Sequence, residues 1–288
     1  MTLVLAGAGL HPGNVTSEVA ELVRGASRVY VDTYTMPGSS WLLEWARSVG
    51  GSKVVEATRD VLEAGSSRIV EEARGSLVVV LVPGDPLVAT THISLIVEAA
   101  ERGVPWRVAP GISGVVSSKT ITGLQYYRFG RTITIPGPWR GVTAVSIVSQ
   151  LYGNLCVGLH TLALLDVSEG GRQLKPDEGA RQLLALEDRL AGDMAFDPVL
   201  RGLLAVAVER AGSERPRVVW GPLHSIAEGL GAPWGEPSSI VVPGLIHPTE
   251  ADVVSRLYSL DREVLEAHNR AVRASRLRTC RIYEALSL

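Results

Sequence analysis

The sequence predicts an α/β protein of two domains, with residues 1–112 in the first and residues 113–288 in the second. Two observations favour this fold class: hydrophobic strand patterns end in glycine-bearing turns, and helical patterns separate them. At 288 residues the chain is also long enough for two domains. Because strand, helix and strand follow one another, we expect a parallel sheet whose loops gather at one edge.

The first domain opens with a strand pattern at residues 2–5, followed by a glycine-rich loop at 7–14. Either Thr16 or Ser17 can then cap a helix that continues to Val23. Further strand patterns lie at residues 29–32, 79–82 and 108–109, and a helix pattern lies at 93–100.

The segment 79–88 carries the strongest local signal in this domain. Its apolar strand pattern runs into Pro-Gly-Asp-Pro, which can continue neither as a strand nor as a helix. The pattern therefore places Asp85 in a tight turn at the carboxyl end of a buried strand. In open α/β sheets that edge is where ligands bind, so the sequence indicates a ligand site there.

The second domain begins with a small-residue helix pattern at 115–121 and an aromatic stretch at 126–129. Residues 155–159 and 161–165 are interpreted as one strand or two closely spaced ones, and 176–195 as an amphipathic helix. Further strands are expected at 131–136, 203–208, 217–220 and 239–242, and one or two helices over 250–288.

Composition argues against several classes of protein. The formal net charge of −2 offers no basic face of the kind that nucleic-acid-binding proteins use. No apolar run reaches the roughly 18 residues that cross a bilayer, and the N-terminus lacks the basic start of a signal peptide. Cys156 and Cys280 form neither a disulfide framework nor a metal-binding pattern. Asparagine is scarce, as in proteins of thermophiles. We expect a soluble, cytoplasmic protein without a bound metal.

Motifs along most of the chain resemble the class III S-adenosylmethionine-dependent methyltransferases, which have the tetrapyrrole methylase fold. The motifs shared by that whole group lie at residues 7–10, 83–92 and 110–113. Three others are similar to the diphthine synthase branch of the group: Asp-x-Tyr-Thr at 32–35, Leu-Leu-Asp at 164–166 and Pro-Gly-x-x-His-Pro-x-Glu at 243–250.

The resemblance implies two α/β domains with the cofactor S-adenosylmethionine in the cleft between them, and a homodimer. It implies transfer of methyl groups to the amino group of a modified histidine on elongation factor 2, in diphthamide biosynthesis, with S-adenosylhomocysteine as the product. It also implies cofactor contacts at positions that match the motifs of the family. These positions are Leu10, Asp85, Val88, Ser113, Gly114, Leu165, Val208 (or its neighbour Ala207) and Ser238.

Methyl transfer from a sulfonium needs no acid for the leaving group, because the cofactor supplies the reactivity. The enzyme must align the acceptor amine with the methyl group and exclude water. The amine has to be neutral to attack, so a nearby carboxylate could take or orient its proton. Asp32, Asp85 and Asp166 lie in the expected ligand-facing loops, but the sequence assigns a catalytic role to none of them.

Structural roles are favoured for three histidines. His92 follows the Pro-Gly-Asp-Pro turn and can cap the next helix, whereas His160 stands beside a strand as a packed or capping residue. His247 belongs to the turn chemistry of its Pro-Gly-x-x-His-Pro motif.

Three other functions remain open. The glycines at 7–13, followed by Asp32, resemble the fingerprint of an NAD-dependent Rossmann dehydrogenase, but Pro12 interrupts the turn and the third glycine is displaced. A methylase of the same fold could instead act on a tetrapyrrole or on ribosomal RNA. A binding module that has lost turnover would be expected to lose polar groups at the loop edge, where Asp85 and Ser113 are present.

Overall fold

The structure is a computed structural model that describes residues 1–142 and 144–286. The chain forms two compact units, Met1–Ser117 with Gly212–Glu214 and Ser118–Ala211 with Arg215–Leu288. Both units are built from strands and helices, which confirms the predicted α/β class. The division into domains after residue 112 stays a prediction.

The first unit contains one sheet of five strands and the helices that connect them. Its strands are β1 (Thr2–Gly7), β2 (Arg28–Asp32), β3 (Val54–Ala57), β4 (Leu77–Val82) and β5 (Trp106–Ala109). Its helices are α1 (Ser17–Gly25), α2 (Ser40–Gly50), α3 (Arg59–Leu62), α4 (Ser66–Gly75) and α5 (Ile93–Glu101), and α6 (Gly114–Thr120) begins after its last loop. The strand order is β3-β2-β4-β1-β5, and every neighbouring pair is parallel.

Strand β4 is apolar at every position because helices cover both faces of the sheet. Val78 and Val80 pack with apolar side chains of α4 and α5, whereas Val79 and Leu81 pack on the other face with those of α1 and α2. Continuous burial of this kind is typical of parallel strands. Because all the strands point the same way, the carboxyl ends of β4, β1 and β5 lie side by side.

Helix α1 shows how local chemistry sets the start of an element. The hydroxyl of Thr16 accepts a hydrogen bond from the backbone N–H of Val19 at 3.2 Å, so Thr16 rather than Ser17 is the N-cap. Val19 and Val23 are fully buried and lie four residues apart on one helix face. The predicted helix is therefore confirmed.

The second unit contains a mixed sheet of five strands. Its strands are β6 (Ile133–Ile135), β7 (Thr161–Leu165), β8 (Leu204–Glu209), β9 (Arg217–Pro222) and β10 (Ser238–Val242). Its helices are α7 (Ser146–Cys156), α8 (Pro176–Met194), α9 (Leu223–Ala227), α10 (Pro248–Tyr258) and α11 (Arg262–Leu286). In the order β6-β7-β10-β8-β9, the pair β6–β7 is parallel and the other pairs are antiparallel.

The predicted strand over residues 155–159 is wrong, because Leu155 and Cys156 end helix α7. Leu151, Tyr152 and Leu155 are buried together at helical spacing. A short apolar run fits a buried helix as well as a buried strand, and only the residues before it decide between the two. The neighbouring prediction for 161–165 is confirmed as β7.

Cys156 and Cys280 form a disulfide with their Cα atoms 4.9 Å apart, joining the end of α7 to α11. The expectation that this pair carries no disulfide is therefore wrong. The two residues are 124 positions apart, so their spacing contains no signal of pairing. Disulfides are rare inside mesophilic cells but frequent in intracellular proteins of hyperthermophiles, which agrees with the scarcity of asparagine.

Within the described ranges, no helix combines the length and the apolar character that crossing a bilayer requires.

Candidate functional site

Three glycines meet where strands β1, β4 and β5 end. A Cβ atom added at Gly7 would lie 2.6 Å from both the amide nitrogen of Gly111 and the carbonyl oxygen of Gly84. A Cβ atom added at Gly111 would lie only 2.2 Å from that same oxygen. The loops after these strands therefore touch through their backbones, which no residue with a side chain would allow. We call Gly7, Gly84 and Gly111 the glycine junction.

A further pair of backbone hydrogen bonds joins the loops of β1 and β4. The N–H of Gly84 donates to the carbonyl oxygen of Gly9 at 2.7 Å, and the N–H of Gly9 donates to that of Gly84 at 3.2 Å. Both residues have a positive φ, near +75°, which glycine adopts most readily. At the sheet edge that is predicted to bind a ligand, these hydrogen bonds fix the backbones of the two loops relative to each other.

Asp85 is fixed by two backbone groups yet keeps acceptor capacity. Its Oδ1 accepts a hydrogen bond from the N–H of Leu87 at 3.0 Å, and its Oδ2 accepts one from the N–H of Gly111 at 3.2 Å. An ionised carboxylate has about four acceptor sites, so about two remain. Among the described residues, no Lys, Arg or His forms an ion pair with this half-buried side chain. The carboxylate is therefore placed to receive donors from a ligand.

Leu10 and Gly114, two of the predicted cofactor contacts, lie beside the glycine junction. A Cβ atom on Gly84 would be 3.8 Å from Leu10 Cδ2 and 3.9 Å from the amide nitrogen of Gly114. A Cβ atom on Gly114 would itself be 3.5 Å from Leu10 Cδ2. The structure therefore brings these two residues together at the edge that carries Asp85.

Ser113 and Val88 occupy different parts of the same edge. Ser113 immediately precedes α6 and is largely buried. Val88 is three residues beyond Asp85 and is 38% exposed, on the outer part of the β4 loop.

The three predicted contacts in the second unit lie on adjacent strands but not on one face. Strand β10 places Ser239 opposite both Leu164 of β7 and Val208 of β8. Side chains alternate along a strand, so Val208 shares a face with Ser239. Ser238 is next to Ser239 in β10, and Leu165 is next to Leu164 in β7, so both side chains lie on the opposite face of the sheet. Leu165 packs into the core, where a Cβ atom on the α8 glycine at position 179 would meet its Cδ2 at 2.5 Å.

Gln173 is a residue of this region that sequence reasoning missed. Its Oε1 accepts from the N–H of Ser238 at 2.9 Å, and its Nε2 donates to the carbonyl oxygen of Ser238 at 3.1 Å. The hydroxyl of Ser238 also donates to Gln173, at 3.3 Å. The hydroxyl of Ser239, in contrast, is buried and has no hydrogen-bond partner among the described residues. No local sequence pattern predicts these hydrogen bonds, because the two residues are 65 positions apart. We call them the Gln173 clamp.

Asp166, one of the three candidate carboxylates, is fully occupied. It accepts hydrogen bonds at 2.8–3.0 Å from the Arg140 guanidinium, the Trp139 indole and the backbone N–H groups of Gly137 and Val167. Burial alone would raise the pKa of Asp166, but Arg140 and the other donors outweigh it and hold the pKa below its ordinary value. This carboxylate has little capacity left for an acceptor amine.

Asp32 closes a turn at the end of β2. It accepts from the backbone N–H groups of Tyr34 and Thr35 at 2.9 and 3.0 Å, and from the Thr35 hydroxyl at 2.6 Å. His92 Nε2 lies 3.3 Å from Asp32 Oδ2. His92 is the N-cap residue of α5, but its side chain makes no capping bond, so the expected capping role is wrong.

The side chains around Asp32 form a buried polar cluster. Both ring nitrogens of His92 and the hydroxyl of Tyr34 are buried without hydrogen-bond partners among the described residues. Burial, followed by the charge of Asp32, raises the pKa of the Tyr34 phenol. Since Asp32 itself is fully buried and already engaged, Asp85 is the candidate carboxylate with the most acceptor capacity left.

In the second unit, His160 and His268 hold the backbone of Gly244. The N–H of Gly244 donates to His160 Nδ1 at 2.9 Å, and its carbonyl oxygen accepts from His268 Nε2 at 3.0 Å. Because Nδ1 of His160 is an acceptor, its proton is on Nε2, which donates to Glu250 Oε1 at 3.0 Å. Burial lowers the pKa of His268 to about 4. His160 therefore has the structural role that the sequence favoured.

His247 also has a structural role, as the N-cap of α10. Its ring accepts a hydrogen bond from the N–H of Thr249, and the carboxylate of Glu250 accepts one from the N–H of His247 at 2.7 Å. Burial alone would raise the pKa of Glu250, but the bonds from His160 and from the N–H groups of Gln125 and His247 lower it. The motif at 243–250 thus builds a satisfied internal cluster.

Comparison with known proteins places this geometry in context. The family model described as Tetrapyrrole (Corrin/Porphyrin) Methylases matches residues 2–227. A relative from Aeropyrum pernix, named diphthine synthase, is 45% identical over 254 residues, which are 87% of this chain and 85% of that protein. The crystal structure of a conserved hypothetical protein from Aeropyrum pernix K1 superposes with a TM-score of 0.87, at 40% identity and 98% coverage of each chain. The crystal structure of a diphthine synthase superposes with a TM-score of 0.80, at 30% identity, covering 92% of this chain and 99% of that one.

Proposed function

Because this chain belongs to the tetrapyrrole methylase family and to its diphthine synthase branch, we propose that it methylates the amino group of a modified histidine on elongation factor 2. The chain is an S-adenosylmethionine-dependent methyltransferase of diphthamide biosynthesis. The observation that carries the proposal is the glycine junction, where Asp85 keeps unfilled acceptor sites at the carboxyl edge of a parallel sheet.

The residues at the glycine junction fit S-adenosylmethionine. This cofactor carries a positive charge, hydroxyl groups and an ammonium group, and Asp85 offers a carboxylate with about two open acceptor sites. Gly84 and Gly114 leave the backbone open to close approach, and Leu10 supplies an apolar surface beside them. We assign cofactor binding in the first unit to Leu10, Asp85, Val88, Ser113 and Gly114.

In the second unit we assign cofactor contacts to Leu165, Val208 and Ser238. The side chain of Leu165 is packed against α8, so its contact would use the backbone. The Gln173 clamp engages the backbone of Ser238, whereas the buried hydroxyl of Ser239 still needs a partner. Ser239 is therefore the hydroxyl with the greater capacity to bind a ligand in this strand.

When bound, the cofactor supplies an electrophilic methyl group on a sulfonium. The residues of this chain bind and orient the reactants and exclude water, which together provide several kcal/mol by proximity. Asp166 is saturated by hydrogen bonds, Asp32 closes a buried turn, and Asp85 is engaged with the cofactor in this proposal. We therefore assign no dedicated base, and alignment of a neutral amine is the proposed source of the rate.

The proposal includes elongation factor 2 as the protein substrate, a cytoplasmic location and a homodimer. A mean hydropathy of +0.19 is high for a chain of this kind and supports an apolar interface between copies. Exposed apolar side chains in the first unit, among them Leu87, Ile93 and Val97, offer surface for such an interface.

Incubation with methyl-labelled S-adenosylmethionine and elongation factor 2 that carries the aminocarboxypropyl-histidine precursor tests this function. Label should appear on the modified factor and not on the factor with an unmodified histidine. Parallel incubations with a tetrapyrrole and with ribosomal RNA test the other acceptors of the fold, and label on either one instead would contradict the proposal. Protection against heating by S-adenosylmethionine but not by NAD would separate the protein from a dehydrogenase.

A further inference from the structure

Lys119 is a buried cation for which the described residues supply no oxygen partner. The residue is 8% exposed and lies near the end of helix α6. None of the described carboxylates forms an ion pair with it, and its Nζ donates no hydrogen bond to a described residue. Burial lowers the pKa of its ammonium group. The side chain is thus held at an energetic cost that a purely structural lysine would avoid.

Two aromatic rings face the ammonium group of Lys119. The ring centroids of Tyr126 and Phe129 lie 5.4 and 5.3 Å from its Nζ. The quadrupole of each ring attracts a cation held over its face. Ring faces attract the charge but are poor substitutes for the oxygen acceptors that three N–H donors prefer. The group therefore keeps hydrogen-bonding capacity for an anion.

The two other lysines of the chain behave differently. The Nζ of Lys53 donates to the carbonyl oxygen of Arg24, and the Nζ of Lys175 lies 2.5 Å from Glu236 Oε1. Both are more exposed than Lys119, which alone of the three is buried. Lys119 is therefore the exception, and its lack of an oxygen partner sets it apart from ordinary surface lysines.

One of the two rings that face Lys119 is exposed to solvent. Tyr126 is 50% exposed, and the next residue, Tyr127, is 78% exposed. The helix that carries Lys119 begins at Gly114, which we assign to the cofactor. A polar group that approaches beside the exposed Tyr126 ring would meet the ammonium group of a largely buried lysine.

We propose that Lys119 binds the carboxylate of the acceptor group, the aminocarboxypropyl side chain built on the substrate histidine. This inference rests on the proposed function, because that acceptor carries a carboxylate next to the amine that receives the methyl groups. A carboxylate supplies the oxygen acceptors that the ammonium group lacks, in a charge-assisted hydrogen bond. Fixing the carboxylate positions the adjacent amine, so Lys119 is a determinant of acceptor specificity.

The test measures how strongly the protein prefers modified elongation factor 2 over the unmodified factor. Dissociation constants for both forms are measured in the presence of S-adenosylhomocysteine, for the wild type, Lys119→Met and the control Lys53→Met. The ratio of the two constants isolates the contribution of the aminocarboxypropyl group. Lys119→Met should reduce this preference by about tenfold or more, whereas Lys53→Met should leave it unchanged.

Two further measurements show whether each variant is folded and still binds the cofactor product. S-adenosylhomocysteine affinity and the melting temperature are recorded for each variant, and Lys119→Gln replaces Lys119→Met if the methionine variant does not fold. A wild-type preference for the modified factor that survives intact in a folded Lys119 variant overturns the inference and leaves the proposed function standing. A wild-type protein that shows no preference and transfers no label overturns both.

Discussion

Polar groups are partnered differently at two places in this protein, the internal clusters of the second unit and the sheet edge of the first unit. In the second unit, Asp166 and the cluster of His160, His268 and Glu250 find their partners inside the unit. At the sheet edge of the first unit, Asp85 accepts only two backbone hydrogen bonds and keeps the rest of its capacity. Charged residues are present in both, so the presence of charge does not distinguish the proposed ligand site from the scaffold.

The two places differ in how many of their hydrogen-bonding groups have partners within the protein. Native proteins pair nearly all their buried polar groups, so a group left unpaired requires an explanation such as a missing ligand. In the second unit, buried polar atoms of Arg128, Trp220, Trp234, Ser239 and Ser255 lack a hydrogen-bond partner among the described residues, and the ammonium group of Lys119 faces aromatic rings. Satisfied clusters should therefore respond to mutation as stability elements, and unsatisfied groups as binding elements.

The largest expected effect on stability comes from the disulfide bond of the second unit. Reducing the bond between Cys156 and Cys280 should lower the free energy of unfolding by up to about 5 kcal/mol. The intact disulfide closes a long loop and so restricts the conformations of the unfolded chain, and reduction removes this restriction. Denaturant unfolding with and without reductant measures this difference. The variant Cys280→Ser should match the reduced wild type and show no further response to reductant. Identical midpoints for reduced and oxidised wild type would show that the bond does not restrain the unfolded chain.

The next effect is a pH dependence of stability that arises from His268. Its folded pKa is about 4 and its ordinary value is 6.5, so the unfolded chain binds a proton that the folded protein excludes. This contribution is fully present above pH 6.5 and is lost as the pH falls toward 4. The loss amounts to about 3 kcal/mol.

Unfolding at several pH values between 7 and 4 checks the His268 effect. His268→Gln should flatten the pH dependence, since an amide can retain hydrogen-bonding groups without titrating. The control His224→Gln alters a histidine with a less buried environment and should leave the slope unchanged. An equally steep slope in His268→Gln would assign the effect to other groups, such as Glu250 at lower pH.

A smaller effect separates the neighbouring serines of β10. Ser239→Ala removes a buried hydroxyl without a partner among the described residues, so it should leave stability unchanged or raise it by up to about 1 kcal/mol. Ser238→Ala removes the bond to Gln173 and should lower stability by about 0.5–1.5 kcal/mol. Thermal unfolding of the two variants compares them directly, and equal losses in both would remove the distinction.

In the first unit, β1, β2, β4 and β5 and the helices α1 and α5 were predictable because their signals are local, whereas no pattern predicted α2, β3, α3 or α4. A strand such as β4 is a continuous apolar run ended by Pro-Gly-Asp-Pro, and the cap of α1 lies within three residues of the amide it binds. The motifs that carry Asp85 and Gly111 likewise belong to single turns. Such features depend on backbone geometry that short sequences specify.

The features that sequence reasoning missed depend on residues far apart in the chain. The disulfide joins residues 124 positions apart, and the Gln173 clamp joins residues 65 positions apart. The end of α7 fits a strand pattern as well as a helix pattern, because a short apolar run has no decisive period. Lys119 lies in a helix pattern that was predicted, but its burial against aromatic rings follows from tertiary packing alone.

The central claim is that Asp85 binds the cofactor, and Asp85→Asn tests it most directly. Calorimetry with S-adenosylhomocysteine should show a dissociation constant roughly 10- to 100-fold higher, the loss of a charge-assisted hydrogen bond, while Asp60→Asn on the exposed surface changes little. In kinetics, KM for S-adenosylmethionine should rise and kcat should stay close to the wild-type value. A collapse of kcat with wild-type cofactor affinity would contradict the claim, because Asp85 would then be acting on the acceptor amine.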